Sequence, residues 1–178
     1  YMLGNLGLTY KYKTSTENPF DVYYKDFDEN GTKDIVLGYY NYGVHYPLRG
    51  FSCSTQQVPQ LKDEFKKYDV FAGLGIEDVY GKDNLEEALH YEADMFQSVY
   101  LENLGGTFKL KKLPVEVQFS SINDVIVEDV NNDGNLDAIV AGNLFVSEIE
   151  TPRNDAGTGL LLIGDGKGNF DTVPTSES

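Results

Sequence analysis

The stretch Lys25–Tyr40, KDFDENGTKDIVLGYY, sets acidic and amide side chains around a single glycine and then turns apolar. Its oxygen-bearing side chains stand at alternate positions before Gly31, with one more acid after it: Asp26, Asp28, Asn30 and Asp34. Alternate donors around a tight bend all point toward one centre, and a glycine at the sixth position permits the bend. The stretch therefore predicts a metal-binding loop between two strands.

A second copy of the pattern lies further along the chain, in Val125–Leu144, VIVEDVNNDGNLDAIVAGNL. Its first acid, Asp129, comes 103 residues after Asp26. In both copies a β-branched or aromatic run precedes the loop and an apolar run follows it. Two loops that match at every donor position favour metal binding over an acidic hairpin that arose by chance.

Calcium is the ion that fits these donors, because it takes six to eight oxygen ligands from carboxylates, amides and backbone carbonyls. Side chains supply positions 1, 3, 5 and 9 of each loop, and a backbone carbonyl supplies position 7. The predicted ligands are Asp26, Asp28, Asn30, Thr32 and Asp34 in the first loop, and Asp129, Asn131, Asp133, Asn135 and Asp137 in the second.

The loops are not EF-hands. An EF-hand needs a bidentate Glu at position 12 and a helix on each side of the loop. Position 12 is Leu37 in one copy and Val140 in the other, and both lie in apolar runs typical of strands. A sensor that opens a groove on binding calcium is therefore excluded.

Two hairpins also repeat. Ser98–Pro114 and Gly159–Pro174 each read as a strand, a Gly-rich turn and an aromatic strand. Asp165 belongs to the turn of the second hairpin and lacks the later acids of a metal loop. Repeats of a few tens of residues with several strands each are typical of propellers and solenoids.

A helical insertion is predicted at about Thr55–Gln97, where the apolar period changes. Val58, Leu61, Phe65 and Tyr68 recur at three- and four-residue spacing, which predicts one apolar face on a short helix. A second helix is predicted through NLEEALHYEA, capped by Asp83 or Asn84.

Composition limits the number of domains, the class of partner and the use of disulfides. The 178 residues suit one domain, with 13 Tyr, 10 Phe and 18 Gly favouring short strands and tight turns. The net charge of −15 argues against nucleic acid as a partner. The single cysteine, Cys53, excludes an internal disulfide framework. The sequence contains no apolar run of transmembrane length and no export signal. Its first residues have the pattern of a strand that has already begun, so we expect any export signal to lie upstream.

The loop pattern, D-x-[DN]-x-[DN]-G-x-x-D between strands, resembles the calcium loop of FG-GAP or VCBS repeats, which form the β-propeller of integrin alpha subunits. VYLENLGGTFKLKKLP resembles the outer hairpin of that repeat, and PRNDAGTGLLLIGDGKGNF resembles the closing stretch of exported VCBS-repeat proteins from Bacteroidetes-type bacteria. YPLRGFSC, followed by the helical insertion, is similar to the same group. The resemblance implies a mainly β fold, a partial β-propeller over residues 1–178 with a short helical insertion.

The resemblance further implies a calcium-stabilised, non-catalytic binding or adhesion module of an exported or cell-surface bacterial protein, with a protein or glycan ligand. Two alternatives stay open: a carbohydrate-processing accessory domain or polysaccharide lyase, and a scaffold that presents the insertion to a partner. For the lyase, two groups offer a base and a charge stabiliser: His45, Tyr46 and Arg49, and His90, Tyr91 and Asp94. Neither group forms a convincing catalytic constellation.

Overall fold

The computed structural model describes residues 1–147 and 151–173. The chain is mainly β, with 32% strand and 19% helix, and its strands pair in antiparallel sheets. The mainly β class is therefore confirmed. No closed barrel or propeller is formed by the described residues. None of the helices in this part of the chain is long and apolar enough to cross a membrane.

The strands and helices are numbered in chain order. The strands are β1 (Met2–Leu3), β2 (Phe20–Lys25), β3 (Asp34–Asn41), β4 (Val44–Pro47), β5 (Leu89–Ala93), β6 (Val99–Asn103), β7 (Phe108–Lys112), β8 (Asp124–Glu128), β9 (Asp137–Ala141), β10 (Leu160–Gly164) and β11 (Phe170–Thr172). The helices are α1 (Phe51–Gln57), α2 (Leu61–Glu64), α3 (Tyr68–Ala72), α4 (Ile76–Tyr80) and α5 (Lys82–Glu87).

The chain divides into two compact units, Tyr12–Met95 and a second unit made of Tyr1–Lys11 with Phe96–Ser178. The unit Tyr12–Met95 holds the sheet β4-β3-β2-β5 and all five α-helices found in the described residues, whereas a 3₁₀-helix, Val115–Phe119, belongs to the other unit. Its sheet has one inward face, because alternate residues of β2 and β3 are buried: Asp21, Tyr23, Asp34, Val36 and Gly38. The helices cover that face with a core that includes Leu61, Phe71, Ile76, Val79 and Leu85.

The helical segment runs from residue 51 to 87 and consists of short pieces. The single helix predicted over Val58–Tyr68 is wrong: this stretch starts just after α1, contains all of α2 and ends at the first residue of α3. Pro59 explains the break, because a residue before proline is pushed out of the helical region, and Val58 has φ −121° and ψ 86°. Val58 and Leu61 are buried as the apolar spacing predicts, whereas Tyr68 is exposed.

The second predicted helix is only half correct. The α5 helix begins at Lys82, is preceded by Gly81 without a side-chain cap, and ends at Glu87. Its predicted second half is strand β5, which pairs antiparallel with β2 along Phe20–Tyr24. Pairing with β5 gives the N–H and C=O groups on the open edge of β2 hydrogen-bond partners, which a helix at Leu89–Ala93 would not do. Tertiary context therefore overrides the local helix propensity.

The other unit holds two sheets, β1-β6-β7 and β11-β10-β9-β8. Both predicted hairpins are confirmed as antiparallel pairs, β6 with β7 and β10 with β11. Pro174, which closes the second predicted hairpin, lies outside the described residues. The core of this unit is built from Leu113, Val117, Ala138, Val140 and Leu162.

Candidate functional site

The first acidic loop joins β2 to β3, which pair in register from Asp21 opposite Gly38 to Lys25 opposite Asp34. The second loop joins β8 to β9, closed by Glu128 opposite Asp137. Each loop is therefore the turn of an antiparallel hairpin. The strands predicted on both sides of each loop are confirmed, which supports the exclusion of an EF-hand.

Side-chain oxygens hold the backbone of the first loop in place. Asp26 Oδ2 accepts a hydrogen bond from the Gly31 N–H at 2.8 Å, and its Oδ1 accepts from the Asn30 N–H at 3.0 Å. Asp28 Oδ1 also accepts from the Asn30 N–H, at 3.2 Å. Asn30 Oδ1 accepts from the Thr32 N–H at 2.7 Å. The predicted side-chain ligands before the glycine thus converge on the inside of the bend.

The second loop repeats this network bond for bond. Asp129 accepts from the Gly134 N–H at 2.9 Å and from the Asp133 N–H at 3.1 Å. Asn131 Oδ1 accepts from the Asp133 N–H at 2.9 Å, and Asp133 Oδ1 accepts from the Asn135 N–H at 2.8 Å. The two loops, which share the same spacing of oxygen-bearing residues, therefore also share the same pattern of hydrogen bonds.

The backbone conformation matches as well. Gly31 and Gly134 both have φ +88°, in the region that glycine adopts without a steric penalty. At position 4, Glu29 has φ 57° and Asn132 has φ 60°. Left-handed backbone at a residue other than glycine is uncommon, and both loops adopt it at the same place.

The acids at position 9 are the buried members of the set. Asp34 is 5% exposed, and its Oδ2 accepts a hydrogen bond from the Phe27 N–H at 3.0 Å. Asp137 is 0% exposed and accepts from two N–H groups, those of Val130 and Gly164, at 2.9 Å each. These carboxylates tie the start of each loop to the strand that follows it.

The two loops differ in how their carboxylates gather. Carboxylate oxygens of Asp26, Asp28 and Asp34 all lie within 4.8 Å of one another. Among the described residues, the three acids of the second loop, Asp129, Asp133 and Asp137, do not form such a group, and the third position of that loop is the amide Asn131. The backbone carbonyls of Thr32 and Asn135 stay predicted ligands.

Hydrogen bonding also governs the charge of exposed acids in the turns. The Asn135 backbone N–H, followed by the Asn131 side chain, lowers the pKa of Asp133 from its ordinary value. In the turn between β10 and β11, Asn169 lowers the pKa of Asp165 to about 2, with further bonds from the Asn169 and Lys167 N–H groups. Both acids therefore stay ionised at neutral pH.

The structure groups the two histidines differently from the sequence hypothesis. His45 lies in β4 and His90 in β5, the two edge strands of one sheet. Both rings approach Asp21 in β2: the distance from His90 Nε2 to Asp21 Oδ1 is 2.7 Å, and from His45 Nε2 to Asp21 Oδ2 it is 2.9 Å. The neighbouring Tyr46 and Tyr91 point to the opposite face, because strand side chains alternate.

Sequence reasoning did not single out Asp21. It stands in a run of apolar and aromatic residues, Phe20–Tyr24, and carries no local motif. The one signal was its alternation with Tyr23, which predicts that both side chains face the same side of the sheet.

No protein-family model, curated protein or solved structure matches the chain.

Proposed function

We propose that this chain is a calcium-stabilised, non-catalytic binding module whose two acidic loops each hold one Ca²⁺. The observation that carries the proposal is the shared network of the loops: the same donor spacing, the same left-handed residues and the same hydrogen bonds recur 103 residues apart. The donors are all oxygen, which is the chemistry that Ca²⁺ prefers.

The first loop fits the ion best, because three of its carboxylates lie within 4.8 Å of one another. Negative groups this close repel, and a bound cation removes the repulsion. Asp26, Asp28 and Asp34 would hold the ion there, with Asn30 and the carbonyl of Thr32. In the second loop Asp129, Asn131, Asp133, Asp137 and the carbonyl of Asn135 would do so. When bound, Ca²⁺ supplies positive charge that fixes the end of one strand to the start of the next.

The wider assignment rests on the resemblance to FG-GAP and VCBS repeats. We place the module in an exported or cell-surface bacterial protein, as part of a β-propeller, with a protein or glycan as its ligand. Extracellular calcium modules have dissociation constants of about 10⁻⁴–10⁻³ M, so their sites fill only where calcium is plentiful, as it is outside the cell.

Thermal unfolding of the chelator-treated chain, with and without Ca²⁺, tests the proposal. At roughly 100 times the dissociation constant, one bound ion adds about 2.7 kcal/mol to the free energy of unfolding. For a chain of this size that corresponds to a rise of roughly 5–11 °C in Tm. We expect Asp26→Ala and Asp129→Ala each to reduce the rise.

Glu29→Ala is the matched control for the first loop. It also removes one carboxylate from that loop, but at position 4, which supplies no predicted ligand. We expect it to leave the calcium-dependent rise intact. A melting curve that does not move when Ca²⁺ is raised to about 100 times this dissociation constant, or equal losses in Glu29→Ala and Asp26→Ala, would refute the proposal.

A further inference from the structure

The second feature that calls for a ligand is the cluster around Asp21, which we name the histidine–aspartate cluster: Asp21, His45, His90 and Glu92. Asp21 is 2% exposed and sits on an inner strand of its sheet. A buried carboxylate is costly unless cationic or hydrogen-bonding groups compensate it. The two edge strands supply the other members, His45 from β4 and His90 and Glu92 from β5, so the sheet register builds the cluster.

Both imidazoles are held in fixed orientations. His90 stacks on Tyr23 with ring centroids 4.2 Å apart and planes within 5°, and His45 stacks on Tyr40 at 4.3 Å and 4°. Each stack joins residues that are directly opposite in the sheet. The two edge strands thus present Nε2 atoms to the two oxygens of Asp21. Ligand atoms held in place before binding lose little entropy when a metal arrives.

The charge around Asp21 favours a cation. Glu92 stands directly opposite Asp21 across the strand pair, and like charges in that position destabilise a sheet. Burial, followed by the charges of Asp21, Glu92 and Glu77, raises the pKa of the Tyr40 phenol. The tyrosine therefore stays neutral and adds no negative charge of its own beside Asp21 and Glu92.

Two buried atoms of the cluster lack a hydrogen bond. Within the described residues, Asp21 Oδ2 and His45 Nε2 are both buried without a partner of hydrogen-bond geometry, although they lie 2.9 Å apart. Native structures rarely leave such groups unsatisfied. The unsatisfied Oδ2 of Asp21 is therefore available to a bound cation, and His45 Nε2 lies beside it.

We propose that the histidine–aspartate cluster binds a divalent transition-metal ion, with Asp21, His90 and Glu92 as ligands. Ligand atoms of these three residues lie within 4.8 Å of one another. The His90 side chain is 35% exposed and Glu92 is exposed, which leaves the site open on one side for an ion to enter. His45 is a positioning residue, because it approaches the second oxygen of Asp21.

The imidazole of His90 indicates which class of metal ion the cluster would bind. Calcium and magnesium select oxygen ligands, whereas mixed imidazole and carboxylate ligands suit Zn²⁺, Fe²⁺ and related ions. The cluster and the acidic loops should therefore select different metals, and their occupancies can be measured separately.

Calorimetric titration of the chelator-treated 178-residue chain with Zn²⁺, in buffer already saturating with Ca²⁺, tests the inference. We expect the wild-type chain to bind one equivalent of Zn²⁺ and His90→Ala to lose that binding. His45→Ala should weaken it roughly 10- to 100-fold, the usual effect of removing a group that orients a ligand. His45→Gln should recover part of the loss, because its amide can donate to Asp21. Each variant is first checked for a wild-type circular dichroism spectrum.

Glu86→Gln is the matched control, since it removes an exposed acid from α5 outside the cluster. It should leave Zn²⁺ affinity unchanged, whereas Glu92→Gln should lower it.

Nitrogen NMR gives a second readout, because the chain has only two histidines. Zn²⁺ should change the Nε2 signal of His90 to that of a metal-bound nitrogen and leave the Nε2 of His45 unmetallated.

The inference is overturned if wild-type chain takes up no Zn²⁺ in the presence of Ca²⁺, or if His90→Ala binds Zn²⁺ as tightly as wild type. A metal-bound signal at His45 would overturn its positioning role. Because Ca²⁺ is in excess throughout, and because the calcium effect is read from thermal unfolding and the zinc effect from His90, the two proposals can fail independently.

Discussion

The buried carboxylate of Asp137 offers the sharpest test of how an acidic loop is tied to its sheet. Asp137→Asn keeps the shape of the side chain but replaces one acceptor oxygen with an NH₂ group. One of the two N–H groups, of Val130 or Gly164, then faces a donor. A hydrogen bond to a charged group contributes about 1.5–3 kcal/mol, and a buried donor left unpaired incurs its desolvation cost. We expect a loss of about 2–3 kcal/mol, or roughly 4–12 °C in Tm.

The assay is thermal unfolding in excess chelator, so that lost metal binding does not contribute. Asp34→Asn in the first loop is the comparison. Within the described residues Asp34 accepts one hydrogen bond, from the Phe27 N–H, which the amide oxygen of Asn can still accept. We therefore expect Asp34→Asn to destabilise the chelated chain by well under half as much. Equal losses in the two variants, or a wild-type melt for Asp137→Asn, would refute the reasoning.

Three further outcomes follow from other parts of the structure. Leu162 is 0% exposed, so Leu162→Ala should reduce the free energy of unfolding by about 2–5 kcal/mol in chemical denaturation. A Cβ at Gly38 would collide with His45 Nε2, so Gly38→Ala should shift the His45 ring signals and weaken Zn²⁺ binding. NMR titration should give Asp165 a pKa of about 2, and Asn169→Ala should move it toward the ordinary 3.8. Since the folded pKa is the lower one, the stability from Asp165 is present above pH 3.8 and is lost as the pH falls toward 2.

The acidic loops were predictable because all their determinants are local. Nine consecutive residues contain the donors and the glycine, and the apolar runs on either side predict the strands, so the sequence alone placed both loops correctly between strands. The same holds for the two hairpins, whose turns and strands are continuous in the chain. Their metal content stays a prediction, because ligand spacing shows where an ion would fit and not that it binds.

The helical segment was less predictable because local signals compete with distant ones. Apolar spacing identified Val58 and Leu61 as buried, but Pro59 between them broke the helix that the spacing implied. Leu89–Ala93 has helix-forming residues, yet it completes the sheet beside β2. A sequence pattern does not show that an edge of the sheet needs a partner at that point.

The histidine–aspartate cluster could not be predicted from the sequence because its members are far apart in the chain; Asp21 and His90, for example, are separated by 69 positions. Only the register of three strand pairs brings them together. Each histidine has a tyrosine beside it in the sequence, but the tyrosines that matter, Tyr23 and Tyr40, stand opposite on neighbouring strands.

The β2 strand contributes to both kinds of site. The β2 strand carries Asp21 near its start and leads into Asp26 at its end, and a slip of one residue against β3 would turn Asp21 to the other face. Burying Val36 fully contributes about 1.5–3 kcal/mol, whereas an opposed pair of like charges such as Asp21 and Glu92 costs of the order of 0.2–1 kcal/mol. Burial of the apolar face therefore outweighs the repulsion between Asp21 and Glu92, which the pairing of β2 with β5 sets opposite each other. That repulsion is what a cation bound at the cluster would relieve.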